Sequence, residues 1–329
     1  MKRIRLQYVL LFAIMIASVM IVQNKYTSTY VAKLKSQTMA VAKMQTGDLY
    51  EQLEEKAKEY YRKPQDAVVD RVWKAIPGYN GLELDVEASF KKMKQLKLKK
   101  IDEKELEFKQ IKPKVSLDDL PPSPIYKGNP QKPMVTLLVN VSWGEKYLPT
   151  LLKVMKKHGV HSTYFLDGTW VKKNPSLAKM IVDEGHEIGN HAYSHPDLKR
   201  LTKARITDEL ESTNHIIQAT LNKKPKWFAP PSGSFRDDVV KIAAQMNMKT
   251  ILWSVDTIDW REPDPTTMVN SVLSKVHPGA MILMHPTNAT AKGLDSLIKG
   301  LKKNGYQIGT VSELMDEKRI LSNKVNHLK

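Results

Sequence analysis

The sequence contains no cysteine, and this absence excludes several kinds of site. A chain without thiols has no disulfide framework, no thiolate nucleophile and no cysteine-bound zinc or iron–sulfur centre. Any metal ion would therefore be held by His, Asp or Glu side chains. Acidic residues are also scarce relative to basic ones, with 35 Asp and Glu against 52 Lys and Arg, which gives a formal net charge of +17. This excess predicts an anionic partner such as a membrane surface, an anionic envelope polymer or nucleic acid.

The basic excess lies mostly outside the region that is richest in motifs. Residues 1–133 have 25 basic and 16 acidic side chains. The densest basic run, residues 91–100, contains six lysines but no arginine, and Phe90 is the one aromatic residue beside it. Segments that bind nucleic acid usually combine basic side chains with stacking aromatic rings or base-reading arginine. We therefore expect an anionic envelope polymer or a membrane surface as the partner, and no nucleic acid.

The amino terminus has the pattern of an export signal. Lys2, Arg3 and Arg5 precede the uncharged apolar run Tyr8–Val22. A basic segment followed by an apolar segment of this length is typical of a secretory signal peptide, but no A-x-A cleavage site ends the run. An uncleaved membrane anchor is the alternative, although the run is shorter than a comfortable bilayer span. Residues 1–24 are thus predicted to be a signal peptide or membrane anchor of an exported protein.

Composition divides the remaining chain into four parts. Residues 25–112 show a charged helical pattern and then an alternating strand-like pattern, which predicts a small basic α+β module. Residues 113–133 contain six prolines and are predicted to be a linker. Residues 134–316 form the main domain, and residues 317–329 form a basic tail.

Residues 134–316 alternate regularly between short apolar runs and amphipathic helical stretches. This alternation predicts parallel strands joined by helical crossovers, either in a doubly wound sheet or in a closed, distorted barrel. No G-x-G-x-x-G follows the first strand, so nothing supports a dinucleotide site. The predicted strands are Val135–Val141, Ser162–Leu166, Glu187–His191, Trp227–Pro230, Thr250–Val255, Ala280–His285 and Gln307–Val311.

Polar residues follow the ends of these predicted strands. His191 and His195 are four residues apart after the third strand, a spacing that lets two imidazoles converge on one metal ion. Asp259 and His285 follow two other strands, and in parallel α/β folds the chemistry lies at the carboxyl ends of strands. The alternative is that His195 caps the following turn and His191 is a hydrogen-bonded core residue.

Five ordered blocks resemble the polysaccharide deacetylases that contain a NodB-type domain. They are residues 156–166, residues 184–195, residues 228–233, Asp259-Trp260 and residues 282–285. The resemblance covers about residues 134–315 and implies a distorted (β/α)7 barrel of NodB type. It also implies metal-assisted removal of N-acetyl or O-acetyl groups from a polysaccharide. The first block of the family falls before these five, at the end of the first predicted strand, and its variant Ser142-Trp143-Gly144 in this chain resembles the subgroup linked to spore formation.

The resemblance assigns roles to several residues. His191 and His195 match the two histidine ligands of a divalent metal, expected to be zinc. His285 matches the histidine acid that protonates the departing amine, and Asp259 belongs to the motif that orients this histidine. The residues expected to contact the glycan are Pro231, Ser232, Trp260 and Trp143.

The same resemblance exposes what is missing. The first block of the family has two adjacent aspartates, one the base and one the third metal ligand, whereas this chain has Asn140 and Val141. An amide does not accept a proton at neutral pH and valine cannot bind a metal. The arginine that tunes the base is also replaced, by Ala229. Glu145 or Asp256 could replace the base.

These substitutions leave two functions open. The chain is either a deacetylase-like hydrolase of carbon–nitrogen bonds in a cell-wall or spore-wall glycan such as peptidoglycan, or a catalytically inactive polysaccharide-binding or structural envelope protein. Stoichiometric zinc binding that is lost in His191→Ala would support the metal site.

Overall fold

A computed structural model describes residues 29, 30, 33 and 49–320 of the chain. The fold divides into two compact units. Among these residues, the smaller unit contains 29, 30, 33 and 49–61 together with Glu83–Lys109, and the larger unit contains Arg62–Leu82 and residues 110–320. Within the described ranges, no helix is both long and apolar enough to cross a membrane. The predicted signal or anchor segment, residues 1–24, and residues 321–329 of the predicted tail lie outside the described residues.

The described strands are β1 (Val68–Asp70), β2 (Lys74–Ile76), β3 (Gly81–Leu84), β4 (Phe108–Ile111), β5 (Met134–Val141), β6 (Thr163–Leu166), β7 (Glu187–Asn190), β8 (Trp227–Phe228), β9 (Lys249–Thr250), β10 (Val255–Asp256), β11 (Met281–Met284) and β12 (Gln307–Gly309). The helices are α1 (residues 49–60), α2 (Val86–Gln95), α3 (Leu148–His158), α4 (Gly168–Lys173), α5 (Pro175–Asp183), α6 (Lys203–Leu221), α7 (Asp237–Gln245), α8 (Pro265–Lys275), α9 (Asn288–Lys303) and α10 (Val311–Met315).

The smaller unit has its own apolar core. The Asp85 side chain accepts a hydrogen bond from the Ala88 backbone N–H at 3.1 Å and so caps α2 at its amino end. Phe90 and Met93 on the buried face of α2 belong to the same core cluster as Leu53 of α1. The lysines of α2 lie on other faces, where Lys92 pairs with Glu105 and Glu107. The basic run at residues 91–100 is therefore the polar side of an amphipathic helix and the turn after it.

The larger unit is built on a curled parallel sheet. Its strand order is β10-β11-β5-β6-β7-β8-β9, with β12 also paired to β5. All eight residues of β5 are buried, as expected for a parallel strand that is covered on both faces. Val135, Leu137, Val139 and Val141 pack in the apolar cluster shared with α3, α8 and α9, whereas Leu138 packs in a second cluster with Phe165 and Trp227. The predicted α/β fold with a distorted parallel barrel is confirmed.

One predicted strand is divided in two. Residues 250–255 do not form a single strand, because β9 and β10 occupy opposite ends of the sheet path. β9 pairs with β8, and β10 pairs with β11. Only residues 251–254 separate the two short strands along the chain. This short connection forces the sheet to curl until its two ends lie near each other.

The proline-rich segment lies within the larger unit, which corrects the prediction that residues 113–133 are a linker. Ile125 is fully buried; its N–H donates to the Thr250 carbonyl at 2.9 Å, and its carbonyl accepts from the Leu252 N–H at 2.8 Å. Lys127 forms a bridge with Ala280 beside β11. The segment therefore fills the gap between the two ends of the curled sheet. Composition suggested a linker because prolines resist regular structure, yet extended residues between prolines can still pair with strands.

A second predicted boundary also differs. Arg62–Leu82, assigned by composition to the amino-terminal module, belongs to the larger unit. Glu317, from the predicted tail, accepts hydrogen bonds from the backbone N–H groups of Gly78 at 3.0 Å and Leu117 at 2.8 Å. The buried Lys132 donates from its ammonium to the carbonyls of Glu313, Leu314 and Asp316 at the end of α10. Long-range polar contacts thus hold these segments in one unit.

Candidate active site at the carboxyl edge

The parallel pairing brings the predicted site residues to one edge of the sheet. β5 aligns Val139 with Met284 of β11 and Asn140 with Phe165 of β6. Farther along the sheet, Asn190 of β7 pairs with Phe228 of β8. The residues that follow these strands therefore share the carboxyl edge, as the sequence predicted.

His285 and Asp259 form a hydrogen-bonded pair at this edge. The Asp259 carboxylate is completely buried and accepts from the His285 ring Nδ1 at 2.8 Å and from the His285 backbone N–H at 2.6 Å. It also accepts from the Thr290 hydroxyl at 2.5 Å, and Thr290 lies in the first turn of α9. Three donors fix the carboxylate, and the carboxylate fixes the tautomer and orientation of the imidazole. The predicted orienting role of Asp259 agrees with this geometry.

Trp143 covers one face of His285. The two rings are stacked, with centroids 5.9 Å apart and an interplanar angle of 7°. Gly144 makes this approach possible, since it has φ +87° and a Cβ at this position would lie 2.1 Å from the Pro286 carbonyl oxygen. The Trp143 side chain is nevertheless 43% exposed, so its outer face is open to solvent. An imidazole next to an open aromatic face could contact a sugar ring.

A second exposed tryptophan follows β10. Trp260 is 51% exposed, and the Arg261 guanidinium lies 4.7 Å from the centre of its ring. Ile258, two residues before Trp260, has φ +54° and is 40% exposed. A β-branched residue in the left-handed region is strained, and such strain concentrates at functional sites. The strained turn keeps Trp260 and Ile258 at the surface, where they form an apolar edge that nothing in the described chain covers.

His191 and His195 come together as predicted. Their ring centroids are 5.1 Å apart, at an interplanar angle of 66°. His191 is buried, and its Nδ1 lies 2.7 Å from the Ala229 carbonyl oxygen, so Nδ1 carries the proton and Nε2 has a free lone pair. Burial, followed by the nearby His195 and His285, lowers the pKa of His191 to about 3. Burial also lowers the pKa of His195, and Asp167 opposes this effect.

Glu209 of α6 positions the loop that contains both histidines. Its carboxylate accepts from the Tyr193 N–H at 2.9 Å, and from the Ser194 N–H and hydroxyl, both at 2.8 Å. Glu209 is 4% exposed, a rare burial for a glutamate. Glu209 belongs to none of the sequence motifs, although it falls on the apolar face of α6 between Ile206 and Leu210. A carboxylate on the buried stripe of a helix is the signal that could have identified it.

Asn140 and Val141 face different sides of the sheet. The Asn140 side chain is buried, and its Oδ1 has no hydrogen-bond partner among the described residues. Val141 belongs instead to the apolar cluster between the sheet and the outer helices. The residue at the position predicted for the base therefore has an uncharged amide, and the oxygen of this amide accepts no hydrogen bond from the described residues. The residue at the position predicted for the third metal ligand, Val141, has an apolar side chain in the core.

The residues present do not complete a metal site. Among residues 49–320, no group of three His, Asp or Glu side chains could hold a metal ion. His191 offers a lone pair on Nε2 and His195 lies beside it, but two imidazoles are fewer protein ligands than a zinc site uses. The predicted zinc site is thus present only as a histidine pair, and no chemical step is assigned to a metal in this chain.

The two candidate replacement bases already have hydrogen-bond partners. Glu145 accepts from the Trp170 indole N–H at 3.0 Å, and Asp256 accepts from the Ile258 N–H at 2.8 Å. Asp167, the residue that follows β6, caps α4 by accepting from the Trp170 N–H at 2.8 Å. Burial raises the pKa of Asp167, and its hydrogen bonds and His195 oppose this shift. Asp167 is therefore a buried carboxylate near the histidine pair that sequence reasoning did not count.

The loop after β8 supplies the remaining predicted residues. Pro231 is buried and Ser232 adopts φ +53°, with Gly233 at φ +66° beside it. The same loop carries Ala229, whose carbonyl holds His191. Ser232 thus lies at the same edge as the histidine pair, in a backbone conformation that L-residues rarely adopt.

Comparison with known proteins identifies the relatives of this chain. Residues 127–251 match the family model for polysaccharide deacetylase. The uncharacterized protein YlxY of Bacillus subtilis is 53% identical over 299 residues, which cover 91% of this chain and 93% of that protein. The peptidoglycan-N-acetylmuramic acid deacetylase PdaA of Bacillus subtilis is 36% identical over 200 residues, which cover 59% of this chain and 76% of PdaA.

A solved structure extends the likeness beyond the residues that the family model matches. A CE4 family pseudoenzyme from Bacillus anthracis is 54% identical and superposes with a TM-score of 0.79, covering 83% of this chain and 96% of that one. A mutant of the same pseudoenzyme is described as having restored enzymatic activity, with 52% identity and a TM-score of 0.79. Its alignment covers 83% of this chain and 99% of the mutant chain.

Proposed function

Because the chain belongs to the polysaccharide deacetylase family, we propose that it is an envelope protein that binds an N-acetylated cell-wall glycan at its carboxyl edge without hydrolysing it at an appreciable rate. The observation that carries this proposal is Asn140. Its amide occupies the predicted position of the base, and its Oδ1 is buried and unpartnered. The edge therefore keeps groups that recognise a sugar and lacks the group that would activate water.

The names of the relatives support both halves of the proposal. PdaA is a peptidoglycan-N-acetylmuramic acid deacetylase, which indicates peptidoglycan as the ligand class. The Bacillus anthracis protein is a CE4 family pseudoenzyme at 54% identity, which agrees with an inactive site. Family members are hydrolases of carbon–nitrogen bonds and depend on a metal in general. In this chain, the paired histidines would have to bind that metal without a third ligand.

Binding without turnover is chemically reasonable for this edge. Trp143 and Trp260 offer exposed aromatic faces, and exposed apolar surface of this kind marks interaction sites. The imidazole of His285, fixed by Asp259, could form a hydrogen bond to an acetamide carbonyl or a hydroxyl group of the sugar. Removing a general base alone costs about 10²–10⁴ in rate. Recognition can therefore persist although catalysis is lost.

Calorimetric titration with chitooligosaccharides and muropeptides tests the binding half of the proposal. We expect saturable binding that weakens by roughly tenfold in Trp143→Ala or Trp260→Ala, since exposed aromatic anchors contribute most of the energy at such surfaces. Trp73→Ala is the matched control, because Trp73 packs with Tyr126 and His277 instead of following a strand of this edge. Equal weakening in all three variants, or no binding, would contradict the proposal.

A residual deacetylase is the second candidate, and the intact His285–Asp259 pair favours it. In that case, acetate release from the same glycans would depend on zinc and on a replacement base. Glu145→Gln and Asp256→Asn test the two nearest predicted bases. Acetate release at a rate typical of active family members would replace the inactive function with this one.

We also propose that the protein is exported, either secreted or held at the membrane by residues 1–24. The basic residues Lys2, Arg3 and Arg5 before an apolar run support this location. An anionic polymer or membrane surface as an additional partner, and membership of the spore-forming subgroup, are further proposals. Fractionation of cells that express the full chain, with and without residues 1–24, tests the location directly.

A further inference from the structure

A large cavity opens at the amino ends of the strands, on the opposite edge of the sheet from the site above. It has a volume of about 1150 Å³ and is lined by Trp227 and Lys249, the first residues of β8 and β9. The proline-rich segment provides one wall, with Leu117, Leu120 and Pro121. All of its lining residues belong to the larger unit. We call this space the basic cavity.

The charge that lines the basic cavity is mainly positive. Its five lysines come from separate parts of the chain and face three acidic residues, Asp118, Asp316 and Glu317. No arginine lines the cavity. Charge of one sign gathered in a concave surface raises the local concentration of ions of opposite sign. The lysines are Lys112, Lys224, Lys226, Lys249 and Lys318.

All three acidic residues have partners, and Asp316 accepts from the Lys318 backbone N–H at 3.0 Å. Asp118 pairs with Lys249 at 2.8 Å. The Oε1 atom of Glu317 accepts from the Gly78 and Leu117 backbone N–H groups and so has a structural role. By contrast, the other four lysines form no ion pair with the carboxylates of residues 49–320. The cavity thus presents four ammonium groups that pair with no carboxylate of these residues, against two remaining carboxylates, those of Asp316 and Glu317.

The floor of the cavity has one unused polar group. Thr250 is 1% exposed, lines the cavity, and has a hydroxyl without a hydrogen-bond partner among the described residues. Buried hydroxyls are usually hydrogen-bonded, so an unpartnered one points to a missing partner. A ligand oxygen could accept from this hydroxyl after a small movement of the floor.

We propose that the basic cavity binds a linear polymer whose backbone carries phosphodiester charges and no bases. The lysines are spread over segments distant in sequence, so they match several charges along a chain better than one compact head group. The volume also exceeds the usual range of about 300–1,000 Å³ for small-molecule pockets.

The lining distinguishes this polymer from other polyanions. Nucleic acid in single-stranded form needs exposed aromatic rings on which bases stack. Trp227 is the aromatic residue of the lining, and it is 7% exposed, with its indole N–H bonded to Glu187 and Ser312. Planar carboxylates are recognised best by the fork of an arginine, whereas lysine acts as a point charge that suits phosphate. Lysines without arginine or a free aromatic face therefore favour phosphate on a base-free backbone.

Binding of short-chain inorganic polyphosphate to the full chain tests the proposal. We expect affinity that falls steeply between about 50 and about 200 mM salt, because counter-ions are released on binding. Lys224→Glu with Lys226→Glu should weaken binding by at least about tenfold and reduce the salt dependence. The matched control is Lys223→Glu with Lys241→Glu, which changes the net charge equally at exposed lysines outside the cavity. The control should change affinity less than about threefold.

Four results would overturn the proposal. Equal weakening by the two double variants would mean that the overall positive charge attracts the polymer without a site. Equal or tighter binding of polyglutamate would mean that the cavity prefers carboxylates, and tighter binding of single-stranded DNA would mean that it prefers nucleic acid. Competition by chitooligosaccharides would place the polymer at the carboxyl edge instead. Because the exchanged lysines are exposed, circular dichroism should show unchanged folding in both variants.

Discussion

The side chain of Asn140 differs from an aspartate by one group, an amide nitrogen in place of a carboxylate oxygen. Because Oδ1 has no partner among the described residues, a carboxylate here would have an oxygen free to accept a proton. Its negative charge would be buried, however, and Ala229 supplies no counter-charge. The loss of the base and of its expected arginine partner is therefore coherent, since either one alone would leave an unpaired buried charge.

The first prediction concerns restoration of activity at this edge. Asn140→Asp together with Val141→Asp should leave zinc-dependent acetate release from chitooligosaccharides within about tenfold of the unmodified chain, because residue 141 faces the outer apolar cluster and its carboxylate would point away from the histidine pair. Asn140→Asp alone should stay near the background, since the histidine pair would still lack a third ligand. The double variant should also melt at a lower temperature, because Val141 packs in the outer core. A fully active single variant would show that another residue supplies the third ligand.

The second prediction concerns the buried carboxylate beside His285. Asp259→Asn replaces an acceptor of three hydrogen bonds, and its amide would point N–H groups at the same donors. We expect the free energy of unfolding to fall by about 2–4 kcal/mol. Urea denaturation measures the change. Asp264→Asn is the control, because Asp264 caps the exposed end of α8 and asparagine is an equally good cap.

At the scale of the element, α6 positions the loop of the histidine pair. We predict that Glu209→Gln lowers stability by about 1–3 kcal/mol, since an amide cannot accept from the Tyr193 and Ser194 donors as the carboxylate does. The same substitution should also change the NMR chemical shifts of the His191 and His195 rings relative to the unmodified protein. Glu211→Gln, at an exposed position of the same helix, should change neither. Unchanged histidine resonances in Glu209→Gln would disprove the positioning role.

The start of β7 should make the fold sensitive to acid. His186 is buried, and its Nδ1 accepts from the Ser162 N–H at 3.1 Å. Burial, helped by the neighbouring His161, lowers the pKa of His186 to about 4. The unfolded chain binds this proton near pH 6.5, so His186 stabilises the fold above that pH, and its contribution is lost as the pH falls towards 4.

His186→Asn should therefore flatten the decline in stability between about pH 6.5 and 4. The expected difference is on the order of 3 kcal/mol across this range for a shift of this size. Denaturation at several pH values in this window measures it. His215→Asn, at an exposed position of α6, is the control and should leave the decline unchanged. An identical pH dependence in His186→Asn and the unmodified protein would contradict the assignment.

For the whole of the larger unit, Lys132 connects the proline-rich segment to α10. Its buried ammonium donates to three carbonyl groups, and burial lowers its pKa to about 8. Lys132→Met removes the charge and leaves those carbonyls without this donor. We expect a loss of about 3–5 kcal/mol, measured by urea denaturation. Lys153→Met on α3 is exposed and should cost less than about 0.5 kcal/mol.

Much of this architecture could be predicted from the sequence because a parallel barrel repeats a simple pattern. Buried strands such as β5 are apolar along their whole length, and polar residues gather at the carboxyl edge. The sequence could not predict that Thr250–Val255 is divided between two strands, since a strand of two residues has no periodic hydrophobic pattern. The prolines around Ile125 favoured a linker, although the backbone of Ile125 closes the gap in the sheet. Glu209 and the outward face of Val141 depend on tertiary packing, which single-sequence patterns do not report.

The contacts made by Glu317 and Lys132 also set the order in which the larger unit can fold. Glu317 bonds to Gly78 across 239 positions of the chain, and Lys132 bonds to residues 181–184 positions later. A ribosome releases residues 313–317 after the segments that they contact, so Gly78 and Lys132 cannot form these hydrogen bonds until residue 317 has been made. Contacts between such distant residues slow folding and prolong the time in which the chain is extended. The export proposed above would gain from this delay, because a chain that cannot close early stays competent for passage through a narrow channel.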